Sequence, residues 1–146
     1  MPLIEWTDEY SVGIDVFDTE HKKLIAIINE LHDSFEHGVD RSIAEHALAE
    51  LIAYTIEHFG HEDSFFDTWN YPDKAAHRVA HQELRQQVLE YRDTVLNRGG
   101  IEMSLELITF LRYWLLGHIL SEDKKFCRFL IAQGFHHGLE QAAPQR

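Results

Sequence analysis

The sequence predicts an all-α fold, an antiparallel up-down-up-down four-helix bundle preceded by an N-terminal arm, and three observations carry that prediction. Apolar residues recur every three to four positions in four long segments. Residues with helix-ending chemistry separate those segments, and connections this short make consecutive helices antiparallel. No internal repeat or low-complexity stretch competes with that reading.

Residues 1–18 have a mixed pattern and read as the arm. The first helix is expected over 19–37, with an inward stripe of His21, Leu24, Ile25, Ile28, Leu31 and Phe35, and Gly38 interrupts it. The second is expected over 41–69, where Ser42 and Glu45 read as a capping box. Its stripe is Leu51, Thr55, His58, Glu62, Phe65, Phe66 and Trp69. Asn70-Tyr71-Pro72 ends it, and proline suits the first turn of the third helix, 73–97. That helix turns His77, His81, Leu84, Val88, Tyr91 and Val95 inward before Asn97-Arg98-Gly99-Gly100. The fourth, 102–133, contributes Leu107, Leu111, Trp114, Leu115 and His118. Residues 134–146 form a tail.

At 146 residues the chain is long enough to bury a core and reads as one domain, 1–146. Its net charge of −12 disfavours nucleic acid and anionic membranes as partners, since phosphate contacts need basic patches. No apolar run reaches the roughly 18 residues that span a bilayer, and MPLIEWTDEY lacks the marks of a signal peptide. The single cysteine, Cys127, cannot form an internal disulfide and reads as a small buried residue. A reducing cytoplasm is the expected compartment.

The unusual count is histidine, at 11. All four stripes contain one and the second also contains Glu62, although bundle cores normally take aliphatic and aromatic residues. So many imidazoles and a carboxylate on inward faces need a shared partner, and a metal centre is the simplest. In HFGHE, 58–62, His58 and Glu62 share the stripe. His61 falls in line with Glu50, Tyr54, Glu57 and Ser64 and is expected to face water. His77 and His81 stand one turn apart, able to grip one ion. Asp123 lies five residues past His118, a rotation of about 140° in an ideal helix. The spacing leaves two readings: a surface acid, or an inward carboxylate brought round by a local π-type widening between Gly117 and Asp123. His32 is on the first stripe but about 16 Å along the axis from His21. His37, His46, His136 and His137 sit near helix ends or among polar residues.

The whole pattern resembles the hemerythrin family, specifically its single-domain bacterial members. The resemblance is carried by WTDEYSVGIDVFDTEHKKL, by HFGHEDSFFDTWNYP with the following HRVAH, and by FLRYWLLGHILSEDKKF, and covers about residues 4–130. It implies two non-haem iron ions with a bridging oxide or hydroxide. His77, His81 and His118 would hold one iron, His21 and His58 the other, and Glu62 and Asp123 would bridge them. Five imidazoles and two bridging carboxylates then supply nine bonds, and the bridge raises that to eleven. Two octahedral irons are left one position short, on the two-histidine iron. The resemblance further implies O2, or another small diatomic or anionic ligand, at that position, with Trp114 and Leu115 as pocket-wall candidates. Glu20 stands before His21 where family members often carry glutamine, and Phe126 where tyrosine is frequent. Neither change removes a ligand.

Reversible O2 binding, for storage, delivery or sensing, is the function this reading favours. The alternative is a diiron enzyme acting on peroxide or nitric oxide, or a protein that repairs iron centres; a metal buffer is a third. Ferritin-like sites are disfavoured because the chain has no Glu-x-x-His pair, and HEDSF lacks the second histidine of a zinc protease. No signalling or membrane segment is evident, so a sensing role would need a separate protein partner.

Overall fold

A computed structural model of the chain describes residues 3–36, 41–98 and 101–135. Helices α1 (Asp15–Glu36), α2 (Arg41–Thr68), α3 (Lys74–Arg98) and α4 (Ile101–His118) are followed by a π-helical turn, Ile119–Asp123, and then α5 (Lys124–Ala132). A short 3₁₀ turn, Asp8–Tyr10, precedes them, and no strand occurs among the described residues. α1 packs beside α2 and α4, and α3 beside the same two, so the helices close a ring around one core. The inward stripes hold wherever side chains are described: His21 through Phe35 on α1, Leu51 through Phe66 on α2, and Trp69 just beyond its end are buried. Tyr91 and Trp114 are partly buried, and the side chain of Val95 lies outside the described set.

α1 begins at Asp15, four residues earlier than expected, because the arm folds back onto it. Gly13 takes φ +82°, and the Asp18 carboxylate then accepts bonds from the Ser11 hydroxyl at 2.6 Å and the Val12 N–H at 2.8 Å. Ile14 and Phe17 are thereby buried in the first turn, and the acidic pair Asp15 and Asp18 suits a helix N-terminus. Asn29 holds the rest of the arm, accepting from Ile4 N–H at 2.9 Å and donating to Ile4 C=O at 2.8 Å.

Two helix ends show why the chain turns where it does. Asn70 takes the left-handed conformation, φ 52°, while Tyr71 N–H reaches Phe66 C=O and Asn70 N–H reaches Asp67 C=O. This is a Schellman end, and its apolar clasp is Tyr71 against Phe66, ring centroids 5.7 Å apart. Gly134, φ +96°, closes α5 in the same way, with Phe135 N–H on Leu130 C=O. Ser42 is a correction. It lies inside α2 rather than capping it, since the helix already begins at Arg41. Gly38, His37, Gly99, Gly100, His136, His137 and the tail fall outside the described residues.

Candidate metal centre

Each helix delivers its polar stripe residues to one level of the bundle. α1 supplies His21, α2 His58 and Glu62, α3 His77 and His81, and α4 His118. The π turn supplies Asp123, and all seven side chains are buried. One extra residue in the turn absorbs the misfit of the five-residue step, so Asp123 comes round to the same side as His118. His118 Nε2 and Asp123 Oδ1 are 3.1 Å apart. Of the two readings the spacing left open, the inward carboxylate is the one observed.

Potential ligand atoms gather into two overlapping groups, Glu62, His77, His81, His118 and Asp123, and His21, His58, Glu62 and Asp123. The two carboxylates belong to both. Asp123 turns Oδ1 toward His77 Nε2 at 3.0 Å and Oδ2 toward His21 Nε2 at 3.1 Å. Glu62 Oε1 lies 3.3 Å from His58 Nε2 and 3.4 Å from His81 Nε2. His118 Nε2 is 3.0 Å from both His77 Nε2 and His81 Nε2. Adjacent donors on an octahedral ion, with bonds of roughly 2.1 Å, lie about 3.0 Å apart. His118 therefore stands from each of the other two nitrogens at the spacing of adjacent ligands on one ion.

The chemistry of these atoms also fits a cation. His21 Nε2, Glu62 Oε1 and Asp123 Oδ1 are buried and, although 3.0 to 3.4 Å from neighbouring polar atoms, make no well-aligned hydrogen bond, an arrangement that costs free energy unless something positive sits among them. Burial opposes ionisation of Asp123, yet His118, His21 and His77 hold its carboxyl well below the ordinary range. Burial and the Asp123 charge oppose ionisation of Glu62, and the imidazoles of His58 and His81 outweigh them. Burial disfavours a charged His58, but Glu62, Glu20 and Asp123 raise its imidazole to about 10. In the metal-free protein a proton on His58 thus supplies positive charge that a bound cation would replace.

Residues 12–130 match the family model described as the hemerythrin HHE cation-binding domain. The chain belongs to the hemerythrin family. The bacteriohemerythrin of Stenotrophomonas maltophilia is 33% identical over 126 residues, spanning 86% of this chain and 80% of that protein. That of Methylococcus capsulatus is 31% identical over 127 residues, 86% of this chain and 95% of the other. The crystal structure of a wild-type hemerythrin matches the fold with a TM-score of 0.77 at 28% identity, covering 88% of this chain and 98% of that one. Hemerythrins bind O2, and they do so at a non-haem iron centre.

In this hemerythrin the next layer along the bundle axis is apolar. Leu24 follows His21 by three residues and Leu84 follows His81 by three, while Thr55 and Leu115 precede His58 and His118 by three. Alternating helix direction puts all four at one level, where with Phe59 and Trp114 they line a cavity of about 20 Å³. That is room for about one water-sized molecule. Trp114 also stacks on His118, centroids 4.4 Å apart at 12°, so it lines the cavity and braces an imidazole at once.

Two features of the site escaped the sequence reading. Phe59, beside His58 and off the main stripe, stacks on His81 at 3.7 Å and 3°. His61 does not simply face water. Its Nδ1 lies 2.6 Å from Glu20 Oε2, and its ring packs on Phe17 and Phe65. Periodicity within α2 cannot register a partner on α1; the signal lay in the three-residue step from His58 to His61, which makes the two rings neighbours on the helix surface. His32 stays out of the cluster and pairs with Glu36 at 3.4 Å. Cys127 is buried, and burial, with the Asp123 and Glu62 charges, raises its thiol well above the ordinary range.

Proposed function

We propose that this hemerythrin binds O2 reversibly at two iron ions held by His21, His58, Glu62, His77, His81, His118 and Asp123. The observation that carries this is the pair of overlapping ligand groups that share both carboxylates and lie one layer from a narrow apolar cavity. His77, His81 and His118 hold one ion in this reading, His21 and His58 the other, with Glu62 and Asp123 shared. Bound there, a pair of iron ions would supply the electrons that O2 takes up on binding. The chain's own residues do the rest. Leu24, Leu84, Trp114 and Leu115 offer a small apolar ligand a space in which water finds few of the two to four polar partners it needs. Phe59 and Trp114 fix the rings of His81 and His118 by stacking. Glu20 accepts from His58 Nδ1 at 2.5 Å, leaving Nε2 turned inward as the ligand atom. A cytoplasmic location belongs to the same proposal; no helix among the described residues is long and apolar enough to cross a membrane.

The test is to load the protein with ferrous iron, measure iron per chain, expose it to O2 and follow the visible spectrum. About two irons per chain, and a band that vanishes when O2 is removed, are expected from the ligand set. Retention of fewer irons overturns the assignment. Rapid irreversible oxidation, with peroxide or nitric oxide consumed, would make the site that of an enzyme.

A further inference from the structure

Glu20 is clamped between two imidazoles of α2. Its Oε1 lies 2.5 Å from His58 Nδ1 and its Oε2 lies 2.6 Å from His61 Nδ1. The three side chains step outward: His58 is 1% exposed, Glu20 17% and His61 26%. The outermost ring is itself held in place. Phe17, which is fully buried, lies 5.4 Å from the His61 ring, and Phe65 meets it edge-on at 5.2 Å. Among the other ligands of the centre, His21 and His77 have buried Nδ1 atoms with no hydrogen-bond partner. His58, in the group with two imidazoles, is therefore supported on its outer face in a way that those two are not.

We propose that His61 is a positioning residue for the metal centre: by donating from Nδ1 to Glu20 Oε2, it keeps Oε1 on His58 Nδ1 and so fixes His58 with Nε2 facing the ion. A glutamate on a helix surface has three side-chain torsions to order, and one bond to His58 leaves its second oxygen free to swing toward water. The second bond, to a ring already fixed by two phenylalanines, removes that freedom. Both contacts require only an Nδ1–H, which an imidazole can present in either protonation state, so the arrangement does not depend on the charge of His61. The clamp also ties α1 to α2 beside the group with two imidazoles. His61 therefore acts on one of the two ions and leaves the other alone.

This inference rests on the two-iron reading above, and its experiment separates the two. His61→Phe keeps a ring against Phe17 and Phe65 but removes the donor; His61→Gln restores an N–H donor without the ring. Ferrous protein is challenged with an excess of a ferrous chelator and iron loss is followed in time. Replacing a residue behind a metal ligand typically weakens metal binding 10–100-fold, and His61 acts through Glu20, so its effect belongs near the lower end. We expect His61→Phe to lose one iron about tenfold faster, with the second phase unchanged and His61→Gln close to wild type. Equal rates for His61→Phe and wild type overturn the proposal, as does equal acceleration of both phases. Loss from His61→Gln as fast as from His61→Phe shows that an N–H donor at this position does not restore the clamp, and overturns the assignment to the hydrogen bond. The metal-free proteins give an independent reading by ¹⁵N NMR. His58 should hold a single orientation with Nδ1 hydrogen-bonded in wild type and His61→Gln, and lose it in His61→Phe. A wild-type protein that binds fewer than two irons defeats the two-iron reading, and the NMR comparison then still decides the role of His61.

Discussion

Leu115→Ala separates a packing role for the cavity wall from a protective one. Leu115 is 4% exposed and lines the cavity with Thr55, Phe59 and Trp114. Truncation to alanine removes three buried carbons, each worth about 0.8 kcal/mol. Neighbours that already leave a cavity of about 20 Å³ will not collapse into a larger one. The cost should therefore include a cavity contribution and reach about 3 kcal/mol. For a chain of this size that corresponds to a Tm lower by about 6–12 °C, read on the metal-free protein. The second effect falls on the chemistry. A widened cavity would admit water and reductants to the proposed O2 site, so the iron- and O2-loaded protein should oxidise irreversibly about tenfold faster, a barrier lower by about 1.4 kcal/mol. Leu115→Met conserves volume, should cost less than about 1.5 kcal/mol, and should oxidise near the wild-type rate. If Leu115→Ala loses the expected stability yet oxidises like wild type, Leu115 is core packing and nothing more. If its Tm does not move, the burial argument itself is wrong.

Other perturbations test other parts of the structure. Asp123→Asn and Glu62→Gln each weaken a shared ligand, so iron retained after desalting should fall from about two per chain to one or fewer; two retained irons would remove that carboxylate from the bridge. Phe59 lines both the inner cavity and a surface cleft of about 320 Å³ between α2 and α3. Phe59→Ala should join them and raise the association rate of azide with the iron-loaded protein, on the order of tenfold, and an unchanged rate places ligand access elsewhere. Gly13→Ala puts a side chain at φ +82° and a Cβ 3.3 Å from Ile131 Cδ1, so stability should fall by about 1–2 kcal/mol in thermal unfolding.

Most of the site was legible because the helical period reports which way a residue faces, and polar residues on an apolar stripe are informative for that reason. The helical period alone puts His21, His58, Glu62, His77, His81 and His118 on inward stripes, and all six are buried. Asp123 was legible through a misfit: a carboxylate five residues from His118 can face inward only if the helix widens, and a π turn is found at 119–123. What the period could not show were contacts made from one element to another. Asp18 starts α1 at Asp15 by bonding back to Ser11 and Val12, a tertiary event invisible to a repeat count within the helix. His61 looked solvated because its partner, Glu20, belongs to α1. Phe59 lies beside the stripe, and only the approach of α3 turns it into a stacking surface for His81.

The layers on either side of the seven candidate ligands are unlike each other, and that asymmetry gives the cluster a direction. On one side, the residues three positions from the ligands are Leu24, Thr55, Leu84 and Leu115, which leave a cavity. On the other side stand Phe17, Phe65, Phe66 and Phe126, all buried. Phe17 meets Phe65 at 5.3 Å, Phe66 meets Phe126 at 4.8 Å, and Phe17 reaches Phe126 at 5.9 Å, so these rings interlock. Aromatic rings packed this way make a dense floor, whereas branched aliphatic side chains around a threonine leave room for one small molecule. The π turn matters to both layers. It brings Asp123 to the ligands and, three residues later, Phe126 to the floor, while Leu115, three residues before His118, stays on the cavity side. A regular helix through 119–123 would turn Asp123 and Phe126 away together, opening the floor and removing a shared carboxylate in one step. The irregular turn is therefore what allows one continuous helical segment to serve the cavity, the ligands and the floor.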